Sequence, residues 1–494
     1  MTKERYRHLI TTARDSHMNM LRVWGGGIYE SQEFYDLCDE YGILVWQDFM
    51  FASGMYPDDN ALKRNIYLEA GENVKRLRNH ASIALWCGDN EAAMLWGRWI
   101  SPSFKNRFWD NPADSTKIIN TYTEIMHSIL PSAIKRYDDE KFYWSSSPQS
   151  NNYAVTDENT MESGDMHYWG VWWDKKPFSE YNQVISPFAS EYGFQSFPSM
   201  ETIETFATAD DYDINSDVMK LHQKSSIGNN TITEYMKLYY NVPKRFEDFI
   251  YVGQLLQADG IKTAIEAHRR NKPFTMGSLY WQLNDSWPVA SWSGMDYYGR
   301  WKALQYQVKR SFQETILSIV EEGGKVNIYA ITDKQTEISG RLLLKAIDLN
   351  GNILHSSVVQ IKINPNQSLK VIEMAMDKLI KNNAKSSSLL KASLVVNNQV
   401  VCDAIHYFSE PKNLNLTPVS ITKSLVQSAG TYELTLATDR LAKSVKISVK
   451  GKDIIFSDNY IDILPGEKKK ISFKADQKIV ESDIVIICLN DLKR

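Results

Sequence analysis

The sequence predicts an α/β domain, a truncated (β/α)8 TIM barrel, followed by two all-β domains of the immunoglobulin-like β-sandwich type. Two observations lead to this prediction. Up to about residue 310, short apolar runs alternate with longer helical stretches, the pattern of βα units around a parallel sheet. After residue 313 tryptophan no longer occurs, and short runs rich in Val, Ile and Leu are separated by turns, which is typical of β-sandwiches.

Seven strands are predicted in the first domain, whereas a complete barrel of this type has eight. A helix-like segment at 2–16 leads into the first of them, so we expect the missing strand to be the first strand of the barrel. The predicted strands are 19–24, 43–48, 82–87, 142–146, 165–169, 188–191 and 275–281. The predicted helices are 2–16, 31–41, 61–79, 116–137, 246–270 and 302–312.

The all-β part contains turn sequences at 348–351, 364–366 and 464–466. A boundary near 410–413 would divide it into two units, each close to the about 100 residues of an immunoglobulin-like domain. We therefore expect three domains, at 1–312, 313–410 and 411–494.

Composition and charge exclude several classes of protein. The 494 residues carry a formal net charge of -4 with scattered basic residues, which argues against a nucleic-acid surface. No run approaches the about 18 apolar residues of a membrane span, and the first residues lack the apolar core of a secretory signal. The four cysteines are widely spaced among apolar neighbours, so we expect buried thiols.

The aromatic content points towards carbohydrate. The 14 Trp and 26 Tyr are concentrated before residue 310, and Trp recurs at the ends of predicted strands. Aromatic rings exposed in a cleft stack on the C–H faces of sugars while their N–H and O–H groups find polar partners. The alternative is a large aromatic core, which must account for many of these rings.

Two glutamates follow predicted strands and are the candidate catalytic residues. Segments 85–91 and 187–193 each pass from an apolar run into a polar tip that holds Glu91 or Glu191. Such positions lie at the carboxyl ends of barrel strands, where barrel active sites are built. Either residue alone could be a surface ion-pair partner. Counted with the missing strand, they follow the fourth and seventh strands, which face each other across the barrel mouth.

A pair of carboxyl groups in that position suits glycoside hydrolysis. One group must hold a proton for the leaving oxygen, and the other must be ionised beneath the anomeric carbon. In a retaining enzyme the two groups stand about 5–5.5 Å apart.

Five longer strings make the resemblance specific. They are MLRVWGGG at 20–27, VWQDF at 45–49, WCGDNE at 86–91, SEYGFQS at 190–196 and WQLNDSW at 281–287. Together they resemble the β-mannosidase branch of glycoside hydrolase family 2, with strong motifs in the barrel and only architectural likeness in the two tail domains. The resemblance implies an exo-acting retaining β-mannosidase whose substrate is a β-mannoside oligosaccharide.

The resemblance also implies roles for individual residues. Glu91 would be the acid/base and Glu191 the nucleophile, while Asn90 would hydrogen-bond the 2-hydroxyl of the sugar. Arg22 would pair with Glu191 and keep it ionised, because an adjacent cation lowers the pKa of a carboxyl group. An ordinary ion pair inside the barrel is the alternative for Arg22.

Further residues match positions that line or support the sugar site in this family. The tryptophans are Trp24, Trp99, Trp169 and Trp281, with Trp281 as the floor under the terminal mannose. The supporting candidates are Tyr168, Asp48 and Asp285. For His167 we expect a structural histidine with satisfied hydrogen bonds.

No metal and no organic cofactor is expected. The glycines at 25–27 lack the Lys-Ser/Thr ending of a phosphate loop, and no His-Glu-x-x-His or Cys-x-x-Cys spacing occurs. We read the glycines as a tight turn beside the sugar site.

The resemblance begins at the second barrel strand. Family members start with a jelly-roll sugar-binding-like domain, an immunoglobulin-like domain and the first barrel strand, so we expect these parts to be missing here. A barrel without its first strand exposes unpaired edges, so we expect this chain alone to be weakly active, unstable or inactive. The family implies a periplasmic or intracellular bacterial enzyme, with any signal in the missing region. The oligomeric state stays open.

Two other interpretations remain open from the sequence. One is another exo-glycosidase of the same family, such as a β-galactosidase, a β-glucuronidase or an exo-glucosaminidase. The other is an inactive, truncated carbohydrate-binding fragment.

Overall fold

The structure is a computed structural model that describes residues 1–94, 112–150 and 159–492. The chain divides into two compact units. The first unit comprises Met1–Trp169, Gln183–Tyr192 and Phe274–Tyr280. The second unit comprises Gly170–Asn182, Gly193–Pro273 and Trp281–Arg494.

The first unit contains two parallel sheets. One has the strand order β1-β2-β3-β4 and the other the order β5-β6-β7. The bounds of the strands are β1 Met20–Val23, β2 Leu44–Asp48, β3 Ile83–Cys87, β4 Phe142–Trp144, β5 Asp165–His167, β6 Phe188–Glu191 and β7 Gly277–Ser278. Every predicted strand is present, although most are shorter than predicted.

Helices alternate with these strands. Their bounds are Lys3–Asp15, Gln32–Tyr41, Asn60–Leu77, Ala92–Met94, Pro112–Glu124 and Leu130–Tyr137, with a π-helical turn at Ile125–Ile129. Local signals set several ends: the side chains of Thr2 and Asp59 cap the first turns of two helices, and Gly42 ends another in the left-handed conformation at a φ of 69°.

Side chains pack on both faces of the strands of the first unit. Towards the helices lies a large apolar core that includes Val45, Val74 and Trp86. On the other face a smaller cluster joins side chains from both sheets, and its members are Trp46, Cys87, Trp144, Met20, Leu85, Phe188 and Leu279. Parallel strands buried on both faces are the expected result of βα units.

The prediction of a truncated (β/α)8 TIM barrel is confirmed only in its coarser form. The parallel strands and alternating helices are present, but the described residues form two separate sheets and no closed barrel. The predicted strand 142–146 ends as a ladder at Trp144, and residues 151–158 lie outside the described part.

The second unit begins with helices and ends with all-β structure. Its α-helices are Met200–Ile203, Asp217–Leu221, Gly228–Tyr239, Phe246–Arg270 and Ala303–Ser311. Short 3-10 turns are at Phe178–Asn182, Ala209–Asp211, Met376–Lys378, Asn382–Ser387, Pro411–Asn413, Glu481–Asp483 and Leu489–Asp491. The predicted helix 246–270 is confirmed at both ends, whereas the helices within 200–239 were not predicted.

Two immunoglobulin-like β-sandwiches follow, as predicted. The first pairs sheet β11-β10-β13-β14 with sheet β12-β9-β8, and the second pairs sheet β15-β16-β19 with sheet β18-β17-β20. The strands of the first are β8 Thr315–Glu322, β9 Lys325–Thr332, β10 Ile338–Asp348, β11 Ile353–Ile363, β12 Ser368–Ala375, β13 Ser388–Val396 and β14 Gln399–Tyr407. Those of the second are β15 Ile421–Ser428, β16 Thr431–Thr438, β17 Ala442–Val449, β18 Ile461–Ile463, β19 Lys468–Lys474 and β20 Ile484–Ile487.

Each sandwich has its own apolar core from inward-facing residues of its two sheets. All four cysteines are buried free thiols, as expected from their spacing. Among the described helices, none combines the length and the apolar character needed to cross a membrane.

Candidate active site

Glu91 is held in the loop that follows β3. Its backbone N–H donates to the carbonyl of Ser147 at 2.8 Å, and Asn90 forms bridges to Ala52 and to Ser147. Glu91 has a φ of 58°, a left-handed conformation that is unfavourable for a residue with a side chain. The surrounding contacts therefore impose this conformation, which aims the buried side chain of Glu91 into the site.

Asp89 fixes the same loop and was not identified from the sequence. Its carboxylate accepts hydrogen bonds from the Ala92 N–H at 2.8 Å, the Ser146 hydroxyl at 2.8 Å and the Tyr122 hydroxyl at 3.0 Å. Burial raises the pKa of Asp89 to about 7. Asp89 is two residues before Glu91 in the sequence. Only the fold shows that the Asp89 side chain holds the loop through hydrogen bonds to Ala92, Ser146 and Tyr122.

Glu191 ends β6, where the notable contact is with Arg22 on β1. The Arg22 Nη1 donates to Glu191 Oε1 at 3.0 Å. The predicted pairing of these two residues is therefore present in the structure, between positions 169 residues apart in the chain.

Arg22 is itself held by a second carboxylate. Its Nη2 donates to Asp48 Oδ2 at 2.8 Å and to Asn90 Oδ1 at 2.9 Å. Asp48 is completely buried and also accepts from the Trp46 indole N–H at 2.9 Å and from the Gly25 backbone N–H at 2.9 Å. The sequence-predicted residues Arg22, Asp48, Asn90 and Glu191 thus form one hydrogen-bonded network.

The two carboxyl groups lie close together. One oxygen of Glu91, one oxygen of Glu191 and a ring nitrogen of His167 all lie within 4.8 Å of one another. His167 Nδ1 is 2.8 Å from Glu91 Oε1 and 3.5 Å from Glu191 Oε2. We expected a structural histidine with satisfied hydrogen bonds at this position, and the structure puts its hydrogen-bonded ring close to both candidate catalytic residues.

Burial dominates the protonation of these groups. It raises the pKa of Glu91 to about 7, although the charge of Arg22 opposes the shift. Burial also raises the pKa of Glu191, with the Glu91 charge adding to it and His167 and Arg22 lowering it. Burial lowers the pKa of His167. Arg22 lowers the pKa of Glu191, as the predicted ion pair implies, but desolvation has the larger effect and the net shift is upward.

Oxygen and nitrogen atoms this close could in principle hold a metal ion. However, the Arg22 guanidinium already contacts Glu191 at 3.0 Å and lies 3.3 Å from His167 Nε2. The positive charge of Arg22 beside these groups opposes the binding of a second cation. The donor set therefore suits proton transfer better than metal binding, and we assign it no metal.

The aromatic residues that were predicted to line or support the sugar site are Trp24, Trp99, Trp169 and Tyr168 in this part of the chain. Trp24 and Trp169 are half-buried, and the Trp24 ring lies over Gly26 so closely that a Cβ there would overlap it. Tyr168, also half-buried, is tied to Glu191 through the backbone, its N–H donating to the Glu191 carbonyl at 2.8 Å. Trp99 lies outside the described residues.

Trp281 and Asp285 belong to the second unit. Trp281 is half-buried. Asp285 is buried, and its carboxylate accepts from the Lys224 ammonium at 3.0 Å and from the hydroxyls of Ser291 and Ser293 at 2.8 and 2.7 Å. Within its own unit Asp285 is therefore the centre of a local polar cluster.

Replacing Asp48 by Asn should destabilise the first unit by about 3 kcal/mol, because Arg22 would lose its fully buried charge partner while remaining charged. Urea unfolding followed by tryptophan fluorescence measures this. Glu373→Gln is the control, since it breaks an exposed pair with Lys325 and should leave the unfolding midpoint unchanged. Equal midpoints for the two variants would contradict a structural role of the Arg22–Asp48 pair.

Comparisons with known proteins agree with this architecture. Two family models match the tail of the chain: a mannosidase Ig/CBM-like domain at residues 324–413 and an Ig-fold domain of mannosidases at residues 416–492. The β-mannosidase of Rattus norvegicus is 30% identical over 491 residues, which cover 93% of this chain and 54% of that protein. β-Mannosidase B of Aspergillus fumigatus is 30% identical over 502 residues, covering 96% of this chain and 58% of that protein.

Two solved structures are also similar to this chain. A β-D-mannosidase from Dictyoglomus thermophilum superposes with a TM-score of 0.90 at 34% identity, covering 99% of this chain and 58% of that one. An exo-chitosanase from Amycolatopsis orientalis has a TM-score of 0.74 at 16% identity, a likeness of fold alone. The chain spans about half the length of the curated relatives it matches.

Proposed function

Because this chain belongs to the β-mannosidases of glycoside hydrolase family 2, we propose that it carries the catalytic residues of an exo-acting retaining β-mannosidase. Such an enzyme removes terminal non-reducing β-D-mannose from manno-oligosaccharides or glycans through a covalent glycosyl-enzyme. A carbohydrate is accordingly the proposed ligand of the site around Glu91 and Glu191.

The observation that carries this proposal is the closeness of the two carboxyl groups. Oxygens of Glu91 and Glu191 lie within 4.8 Å of each other. An inverting enzyme keeps its two groups about 6.5–9.5 Å apart to admit a water, whereas a retaining enzyme needs about 5–5.5 Å. The spacing favours double displacement over direct attack by water.

The environment of each residue supports a distinct role. The two groups titrate as a coupled pair, and a single shared proton is favoured on Glu91, because Arg22 ion-pairs directly with Glu191 at 3.0 Å. In the first step Glu91 gives this proton to the leaving oxygen as Glu191 bonds to the anomeric carbon. In the second step Glu91 takes a proton from the water that releases mannose, and the glycosyl bond to Glu191 breaks.

The network around Arg22 supports a role for Asn90 in binding. Arg22 holds Asn90 Oδ1 at 2.9 Å, so Nδ2 is the amide atom that can donate to the sugar 2-hydroxyl. Trp24 and Trp169 are proposed to stack on the sugar, and Tyr168 and Asp48 to support the site. Trp99, Trp281 and Asp285 stay proposals that rest on the family resemblance.

We also propose that the two parallel sheets are parts of one (β/α)8 barrel, with β1 to β7 as its second to eighth strands. The apolar cluster shared by the two sheets supports this, because inward-facing side chains of a barrel pack together in layers. The corresponding domain limits are 1–312, 313–410 and 411–494, with both tail domains of the immunoglobulin-like type.

A panel of aryl β-glycosides tests the proposed activity. We expect any hydrolysis by this chain to be faster on the β-mannoside than on the β-galactoside, β-glucuronide and β-glucosaminide with the same leaving group. Faster turnover of another sugar would overturn the assignment to mannose. Failure of a folded chain to hydrolyse any of them would show that this chain by itself is not a working β-mannosidase.

The pH profile should have an alkaline limb near neutrality. Glu91 must be protonated to act as the acid, and its pKa is raised to about 7, so the acid form is lost as the pH rises through that value. We expect kcat/KM to fall about tenfold per pH unit above pH about 7. Initial rates on an aryl mannoside at subsaturating concentration measure this, and a limb below pH about 5 would contradict the raised pKa.

A further inference from the structure

A chain of buried polar groups connects Asp165 to Glu91 through Ser147 and His167. The Ser147 hydroxyl donates to Asp165 Oδ2 at 2.7 Å and lies 2.9 Å from His167 Nε2. The other ring nitrogen of His167 lies 2.8 Å from Glu91 Oε1. All four groups are buried, so each must find its hydrogen-bond partners mainly among its protein neighbours.

Asp165 is surrounded by donors. Its Oδ1 accepts from the Trp144 indole N–H and from the Gln149 backbone N–H, both at 2.8 Å. Its Oδ2 accepts from the hydroxyls of Ser147 and Ser190, at 2.7 and 2.6 Å. As an ionised carboxylate Asp165 can only accept, so the single hydroxyl proton of Ser147 points to it.

The direction of that proton fixes the tautomer of His167. Ser147 has no second proton, so its oxygen must accept from His167 Nε2–H in the 2.9 Å contact. A neutral imidazole with its proton on Nε2 has a bare lone pair on Nδ1. The 2.8 Å contact with Glu91 then requires that Glu91 supply the proton.

We propose that Asp165 and Ser147 are positioning residues that hold His167 in the Nε2–H tautomer, and that this tautomer keeps the acid proton on Glu91. The inference deepens the proposed function and rests on it for the role of Glu91. It is supported by burial, which lowers the pKa of His167 and raises the pKa of Glu91.

One contact opposes this assignment. Arg22 Nη1 lies 3.3 Å from His167 Nε2, and a guanidinium can only donate. However, the same Nη1 donates to Glu191 at 3.0 Å, and the Ser147 contact with Nε2 is shorter. If Arg22 instead donated a hydrogen bond to His167 Nε2, the ring would carry its proton on Nδ1. His167 would then donate to Glu91 and stabilise the ionised form of Glu91, the opposite of the proposed effect.

A substitution at Ser147 leaves the other charged groups around Glu91 and His167 in place. Among the described residues, those that face Glu91 and His167 are Arg22 on β1, Asp48 on β2, Asp165 on β5 and Glu191 on β6. The substitution at Ser147 leaves each of them in place. It also keeps the backbone bonds of Ser147 to Asp89 and Glu91.

The experiment compares Ser147→Ala with Ser190→Ala. Both remove a hydroxyl that donates to Asp165 Oδ2, but only Ser147 also contacts His167. In Ser147→Ala the ring can carry its proton on Nδ1 and donate it to Glu91, so the alkaline limb of kcat/KM should move down by about one pH unit. In Ser190→Ala the limb should stay in place, and Ser147→Thr should restore it. An unmoved limb in Ser147→Ala would overturn the proposal.

A measurement without turnover separates this inference from the proposed function. Nitrogen-15 NMR of histidine-labelled protein distinguishes protonated from bare ring nitrogens, and His167→Asn assigns the His167 signals among the nine histidines. We expect protonated Nε2 and bare Nδ1 at pH 6, and the reverse in Ser147→Ala. A proton on Nδ1 in the unaltered chain would refute the inference, even if the chain hydrolyses mannosides. The expected tautomer in a chain without turnover would leave the inference standing and count against the proposed function.

Discussion

Glu191→Ala should reduce kcat/KM on an aryl β-mannoside by at least about 10⁴-fold, because the carboxylate that forms the glycosyl-enzyme is removed and no neighbouring group can replace it. Glu91 already holds the proton needed by the leaving group and cannot serve as nucleophile at the same time. The first unit keeps its fold in this variant, since Arg22 retains Asp48 as a charge partner at 2.8 Å.

Covalent labelling of the nucleophile by a slowly released substrate analogue tests the same assignment of Glu191 in a second way. An activated 2-deoxy-2-fluoro-β-mannoside should add one fluorosugar to the peptide that contains Glu191, and Glu191→Ala should take no label. Glu162→Ala, which removes an exposed glutamate of the same unit, is the control and should match the unaltered chain in rate and label. Label on a different residue, or a loss of less than tenfold in Glu191→Ala, would reject Glu191 as the nucleophile.

Glu91→Gln should affect substrates according to their leaving groups. Glutamine fills the same space but cannot give up a proton, so hydrolysis of mannobiose, which has a poor leaving group, should fall by about 10³-fold. A dinitrophenyl mannoside needs no proton to leave, and its first step should be nearly unchanged. The second step still lacks its base, so the leaving group should appear in a burst followed by slow turnover.

Two further results would identify Glu91 as the acid/base. The alkaline limb near pH 7 should disappear in Glu91→Gln, because the group that produces it has been removed. In Glu91→Ala, added azide should restore turnover of the dinitrophenyl substrate and give a β-mannosyl azide, since azide needs no base. An equal loss of kcat/KM on mannobiose and on the dinitrophenyl mannoside would contradict this role.

Local sequence order was enough to find both carboxylates. An apolar run followed by a polar tip marks the carboxyl end of a buried strand, and Glu91 and Glu191 each occupy such a tip. The helix at Phe246–Arg270 was predicted to the residue for a similar reason, because its apolar spacing and its basic last turn are local features. The change to short β-strands after residue 313 likewise depends on composition and turns alone.

Local order failed where a residue's role depends on partners distant in the chain. His167 and Glu91 are 76 residues apart, and Ser147 and Asp165 are ordinary polar residues in the sequence. No spacing rule shows that these side chains meet. The closed barrel also could not be settled from strand counting, because closure requires ladders between strands and not only their number.

The sequence by itself therefore determined the order of the elements, the two immunoglobulin-like domains and the positions of Glu91, Glu191 and Arg22, since these follow from periodicity and from motifs read along the chain. Only the tertiary structure decided how the site is charged. Burial, which raises the pKa of Glu91 and Glu191, and the contacts of His167 depend on how separate strands pack around one point. The desolvation of a group is a property of everything that surrounds it, and no local stretch of sequence encodes that.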